Sequence, residues 1–423
     1  MPPTQTPNPP IEIHIHPAPG ESLTAVLHAF LPHSLAVLRR VQFRRRSPHR
    51  TLLASFPPST PPIPTNRKST PARQRLTRDA RKATDSPPPF VIAFVDRSRV
   101  PETECWIFTS FERPAVRGAE GHGPMKSRDG DEKGRANCPG DVQNGALTRE
   151  DNVKDDEEEA EVEELTKAYL GALFDAISRL ACPAHTKTDE RPILRVGSLH
   201  SCLVPLLASA GWLEWCSVPW QKWVFASPWA PLPIPPTCRD VTDLVDGKSE
   251  LPTGFEFGHV PSEALELVRQ RSEIRRTVST LAELAGMAVF TTPTATDDGP
   301  DVEAADRGQI VAWGFLGVDG SVNALHVEPP WRGLGLAKAV MRRLLRRGDY
   351  GTWFEGEEDG YAGHADVHGD NRASRAVCAR SGARYGWDVH WVRINLGVVE
   401  EGMEGLGGGQ RDDRSLDEIH VAS

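Results

Sequence analysis

The chain of 423 residues contains no run of eighteen apolar residues, so a membrane-spanning helix is excluded on length. Its first ten residues, MPPTQTPNPP, lack the charged and apolar regions of a secretory signal, and no signal peptide is expected. Seven cysteines are scattered without a C-x-x-C pair, which argues against a zinc site and a disulfide framework. No G-x-x-x-x-G-K-[ST] occurs, so a P-loop is excluded. A net charge of −9 argues against a nucleic-acid partner. Large apolar residues are few for the length while proline and glycine are many, which predicts that part of the chain forms no core. These absences leave an intracellular soluble protein, cytoplasmic or nuclear, with two domains as the expectation for this length.

What is present centres on Ser321 to Arg347, SVNALHVEPPWRGLGLAKAVMRRLLRR. A short apolar strand, Val322 to Val327, turns at Glu328-Pro329-Pro330 and enters a helix through Arg332-Gly333-Leu334-Gly335-Leu336-Ala337. Leu336, Ala337, Val340, Met341, Leu344 and Leu345 follow at helical spacing, with Lys338, Arg342, Arg343, Arg346 and Arg347 on the opposite face. Strand, turn and glycine-lined helix start form an anion site: backbone N–H groups point outward with the positive end of the helix dipole behind them. Gly333 and Gly335 let a phosphate approach the backbone. A Rossmann fingerprint does not fit, because Lys338 stands where the third small residue belongs.

The pattern R-x-x-G-x-A after an L-H-V strand end resembles motif A of the GNAT superfamily of acyl-CoA-dependent N-acyltransferases. Downstream, GHADVHGDNRASRAVCARSGARYGW reads as a strand from His364 to Val367, a turn, and a helix capped by Asp370 or Asn371 and stopped at Gly382. Asn371-x-x-Ser374 followed by Ser381-Gly382-Ala383 is similar to the GNAT element after motif A.

Around these motifs, Phe255 to Leu396 reads in GNAT order, with a hairpin turn at Val318-Asp319-Gly320 and a last strand from Val389 to Leu396. Residues 251–397 are therefore expected to be the catalytic GNAT domain, an α/β (α+β) fold with a mixed central sheet. Residues 11–228 are similar in layout to the glycine N-acyltransferase-like branch, where a degenerate GNAT-like half precedes the catalytic one. Arg- and Pro-rich residues 44–89 and Gly- and Asp-rich residues 113–159 are expected to be disordered insertions in that half. A Pro-rich linker is expected at 229–250 and a disordered tail at 398–423.

The resemblance implies acetyl-CoA or another acyl-CoA as co-substrate. Leu325, His326 and Val327 would meet pantetheine through their backbone, and Arg332 through Ala337 would take the pyrophosphate by N–H groups of Gly333, Gly335 and Ala337. Arg332 would contact phosphate or brace the loop, and Lys338 would reach an outer phosphate or belong to a solvated basic face. Asn371 and Ser374 match the family's pantetheine-contacting element, with helix capping as the other use of Asn371. An amine would attack the thioester directly in a ternary complex, which calls for a base and an acid. His326 and Asp366 are the candidate bases. Many members place a tyrosine in the helix after the asparagine; here Cys378 stands there, as candidate acid or core residue, and Tyr385 is the alternative.

A small-molecule amine is a more natural acceptor for this branch than a protein. Two rival readings stand beside it. His364, Asp366 and His368 alternate along a strand and could bind a metal, although same-face neighbours about 7 Å apart converge poorly on one ion. Alternatively, the chain could be a CoA-binding relic that acts as an interaction protein, which the intact glycine loop disfavours.

Overall fold

The computed structural model describes residues 10–17, 21–62, 88–99, 102–112, 149–180, 193–226, 251–272, 274, 276–292, 308–345, 353–355 and 361–399. The first half runs β1 (His14–His16), α1 (Glu21–Ala29), α2 (Leu35–Gln42), β2 (Arg50–Ala54), β3 (Val91–Asp96), β4 (Cys105–Thr109), α3 (Arg149–Ser178), β5 (Ile193–His200), α4 (Val204–Ser209), β6 (Leu213–Cys216) and β7 (Trp220–Ala226). The second runs β8 (Phe255–His259), α5 (Leu265–Arg271), α6 (Val278–Glu283), β9 (Ala285–Thr291), β10 (Ile310–Leu316), β11 (Val322–Val327), α7 (Leu336–Leu344), β12 (Tyr361–His368), α8 (Arg372–Arg380) and β13 (Arg384–Asn395). This is a mixed α/β fold, as expected.

Strand alternation sets the layers in each half. Leu52, Ile92, Trp106 and Phe108 face α1 and α2, whereas Leu53, Ala93, Val95, Cys105 and Ile107 face α3 and α4. In the second half, Ala288, Phe290, Trp313 and Phe315 pack under α5 and α6, and Val289, Ala312 and Val340 share the core that includes α7 and α8.

The strands form a four-stranded sheet, β11-β10-β9-β8, and a nine-stranded sheet ordered β1-β2-β3-β4-β5-β13-β7-β12, with β6 also paired to β13. Neighbours are antiparallel except β4 and β5, which are parallel with Cys105 opposite Val196. The larger sheet crosses between the halves. β7, the last strand of the first half, pairs with β12 and β13 of the second, and β13 reaches past it to pair with β5.

Two expectations need correction. The stretch 44–89 contains β2, whose Leu52, Leu53 and Ala54 are buried between β1 and β3. The stretch 113–159 contains the start of α3 at Arg149. Both were masked by composition: a five-residue strand flanked by Arg, Ser and Pro, and a helix start carrying an acidic run. The remainder of these stretches, the linker at 229–250 and the tail beyond residue 399 lie outside the described residues. The last strand begins at Arg384, five residues before its expected start. No helix among the described residues is long and apolar enough to cross a membrane.

Candidate active site

One edge of β11 pairs with β10, with Trp313 opposite His326 and Phe315 opposite Asn323. Two steps on β10 thus face three on β11. The extra residue is taken up near Ala324, which has a positive φ of 47°. On its other side β11 meets β12 only at its beginning. There Ser321 bridges His364 in parallel, and the His364 N–H donates to the Gly320 carbonyl at 3.1 Å. No ladder among the described residues joins Val322–Val327 to β12, so this edge of β11 is without a strand partner beyond Ser321. Such an edge can accept an extended ligand by main-chain hydrogen bonds.

At the far end of that edge the chain turns through Pro329–Trp331 and enters the glycine loop. Gly333 and Gly335 have φ of 84° and 82°, a region costly for residues with a Cβ. Nothing described lies within 4 Å of where a Cβ would stand at either, so within the protein the demand is conformational and not steric. Arg332 braces the loop: its Nε donates to the Val327 carbonyl at 3.0 Å. Gly335 is the N-cap of α7 and offers no capping side chain to the first-turn N–H groups of the helix. Leu336, Ala339, Val340, Met341 and Leu344 bury the opposite stripe. Packing is close enough that a Cβ on Gly314 would meet Leu325, Val340 and Leu344 at 3.1–3.2 Å. Leu334 is exposed, Ala337 and Lys338 half-buried.

Asn371 caps α8: its side chain accepts the Ser374 N–H at 3.0 Å, and its own N–H donates to the His368 carbonyl at 2.9 Å. Capping accounts for both Asn371 and Ser374 in this geometry.

Leu325 points to the α7 side, and His326 to the face shared with α5 and α6. The His326 ring stacks on Trp313 with centroids 4.7 Å apart. Its Nε2 lies 3.8 Å from Glu328, which also receives the Arg271 Nε–H at 3.0 Å. Burial pushes the imidazole pKa below its ordinary value against the opposing pull of Glu328, with Arg332 and Arg271 adding to the fall. His326 is therefore neutral near pH 7, the state that can accept a proton.

Asp366 sits in a different network. Its carboxylate receives Lys222 Nζ at 2.7 Å and the Ser198 hydroxyl at 2.8 Å. Lys222 also lies 3.2 Å from His364 Nδ1, whose Nε2 is 3.1 Å from the Asp319 carbonyl. Burial alone would raise the Asp366 pKa, but Lys222 and His364 overcome it and hold the group well below the usual carboxylate range. No contact among the described residues joins Asp366 to His326. The Lys222 ammonium occupies the place between His364 and Asp366 where the metal reading would put an ion, and His368 instead packs against Trp220. Lys222 escapes a sequence reading because its partner is 144 residues away.

Cys378 is buried in the core shared with α7, and burial pushes its thiol up to about 12. Tyr385 is half-exposed and donates to Asp388 at 3.2 Å; burial and that carboxylate raise its phenol to about 12.

Residues 10–229, more than half of the chain, match the family model described as the acyl-CoA N-acyltransferase verG N-terminal domain. No curated protein matches. Among solved structures, a Drosophila melanogaster protein is 12% identical with a TM-score of 0.46, covering 91% of this chain and 99% of its own. A tandem GNAT protein from the clavulanic acid biosynthesis pathway is 13% identical with a TM-score of 0.35, covering 90% and 98%. A GCN5-related N-acetyltransferase from Kribbella flavida is 13% identical with a TM-score of 0.29, covering 56% and 75%. The chain belongs to the acyl-CoA N-acyltransferase family of that verG N-terminal domain.

Proposed function

We propose that the second half transfers an acetyl or other acyl group from acyl-CoA to a primary amine by direct attack in a ternary complex. The observation that carries this reading is the open β11 edge leading into a loop whose two glycines are both left-handed, at the N-terminus of a helix. The backbone of Leu325 and the Val327 N–H, beside the Val327 carbonyl that Arg332 holds, suit the amides of pantetheine, and the N–H groups of Gly333, Gly335 and Ala337 suit its pyrophosphate. A small-molecule amine is the proposed acceptor.

The amine nitrogen forms a bond to the thioester carbonyl carbon as the carbon–sulfur bond breaks. His326, neutral and on the face away from α7, takes the proton that the amine loses, directly or through one water. The departing thiolate is protonated from water or by Tyr385, which carries its proton at neutral pH. Proximity of two held substrates supplies much of the acceleration.

Calorimetric titration of acetyl-CoA into wild type and Gly335→Glu tests the reading. Saturable binding to wild type, lost in the variant, is expected, since glutamate brings a strained backbone and a negative charge to the phosphate position. Wild type that binds neither acetyl-CoA nor a longer acyl-CoA overturns it.

A further inference from the structure

A second feature lies at the opposite end of β11. A cavity of about 580 Å³ opens between the connection from α2 to β2 in the first half and α6 with the β10–β11 hairpin in the second. Five arginines line it, Arg40, Arg45, Arg46, Arg50 and Arg99, together with His49, against two carboxylates, Asp96 and Glu283. Two carboxylates against five guanidinium groups leave an excess of positive charge. Asp96 spends Oδ1 on the N–H and hydroxyl of Ser98, at 3.1 and 2.6 Å. Glu283 pairs with Arg99, which also reaches Glu102. Arg46 pairs with Glu355, outside the lining.

Arg45 and Arg50 have no carboxylate partner among the described residues, whereas Arg40 feels the attraction of Asp319, in the β10–β11 hairpin, and of Asp96. Two of them are held on aromatic platforms: Arg40 lies 3.3 Å from the Trp106 centroid, and Arg45 4.4 Å from that of Trp353. Stacking fixes the guanidinium plane and leaves its N–H fork for a ligand. The Nε atoms of Arg40 and Arg46 are buried without a hydrogen-bond partner. Such a cluster in a chain of net charge −9 repels itself, and burial lowers the pKa of Arg40 to about 9. Phe43, Phe94 and Val318 add apolar wall.

We propose that this cavity is a binding site for a small organic polyanion carrying two or more phosphate or carboxylate groups, held across the seam between the two halves. Guanidinium forks recognise both oxyanions bidentately, and the volume is that of an ordinary small-molecule site. The site is separate from the glycine loop: Val318 precedes β11 and Glu328 follows it, so the length of that strand, on the order of 20 Å, lies between them.

The test is calorimetry and thermal unfolding of the full chain with pyrophosphate and with citrate. Wild type, Arg45→Gln/Arg50→Gln and Gly335→Glu are compared. Arg45 is exposed and Arg50 half-buried, so the double variant should fold, as circular dichroism would verify. Saturable binding and a raised melting temperature are expected with at least one probe, kept in Gly335→Glu and weakened tenfold or more in the arginine variant. Preference for pyrophosphate would assign a phosphorylated ligand, and preference for citrate a polycarboxylate. No saturable binding of either probe, or binding unchanged in the arginine variant, overturns the proposal.

Discussion

Single residues in this fold are tuned mainly by burial. Glu112, just beyond β4, is nearly enclosed, and its carboxylate accepts the Thr109 N–H at 2.9 Å. Burial wins over that bond and over the more distant Lys222, raising the pKa from 4.5 to about 8. Between those values the folded state keeps a proton that the unfolded chain has released. The contribution is thus fully present below about pH 4.5 and is lost as pH rises towards 8, by at most about 1.4 kcal/mol per pH unit. Other groups titrate too, so the informative quantity is the difference between wild type and Glu112→Gln. Urea denaturation of both at pH 5 and pH 8 should show wild type losing stability relative to the variant on going up. A constant difference across that window would contradict the assignment.

At the scale of elements, the parts legible in the sequence are those whose signal is local. The stripe from Leu336 to Leu344 predicts α7, and Val318-Asp319-Gly320 predicts the hairpin, where Gly320 indeed has a φ of 77°. Gly382, with a φ of 86°, ends α8 as its position suggests. Gly333 and Gly335 are legible for the same reason, because a left-handed backbone leaves its mark on residue choice. What a side chain on one strand meets across the sheet is not local: Asp366 reads as a candidate base, and Lys222 holds its carboxylate. β2 disappears for a related reason, since five residues among arginines show little period until β1 and β3 flank them. Asn371 falls between the cases, because cap and ligand contact ask for the same residue. Asn371→Ala should cost about 1 kcal/mol in chemical denaturation by removing the bond to Ser374. A loss of acyl-CoA affinity at unchanged stability would instead assign the side chain to the ligand.

On the scale of the whole molecule, the halves are joined by more than a linker. β7 carries hydrogen bonds to β12 on one edge and β13 on the other, and β13 continues to β5. Each half therefore gives its last strand to the sheet of the other. The buried Lys222–Asp366 pair, at 2.7 Å, lies across β7 and β12 on that junction. Breaking such a pair strands a charge away from water, so these strands cannot slide or part cheaply. Residues 1–250 expressed alone would leave β7 without its ladder partners and β5 without β13, and residues 251–423 would lose the strand between β12 and β13. Unpaired edges of this length drive association. The expected result is that neither fragment is a folded monomer, whereas co-expression yields a 1:1 complex with a cooperative melt. Size exclusion with light scattering and circular dichroism would show it. A monomeric first fragment that melts cooperatively by itself would mean that the exchanged strands are dispensable, and that the halves are independent domains in contact.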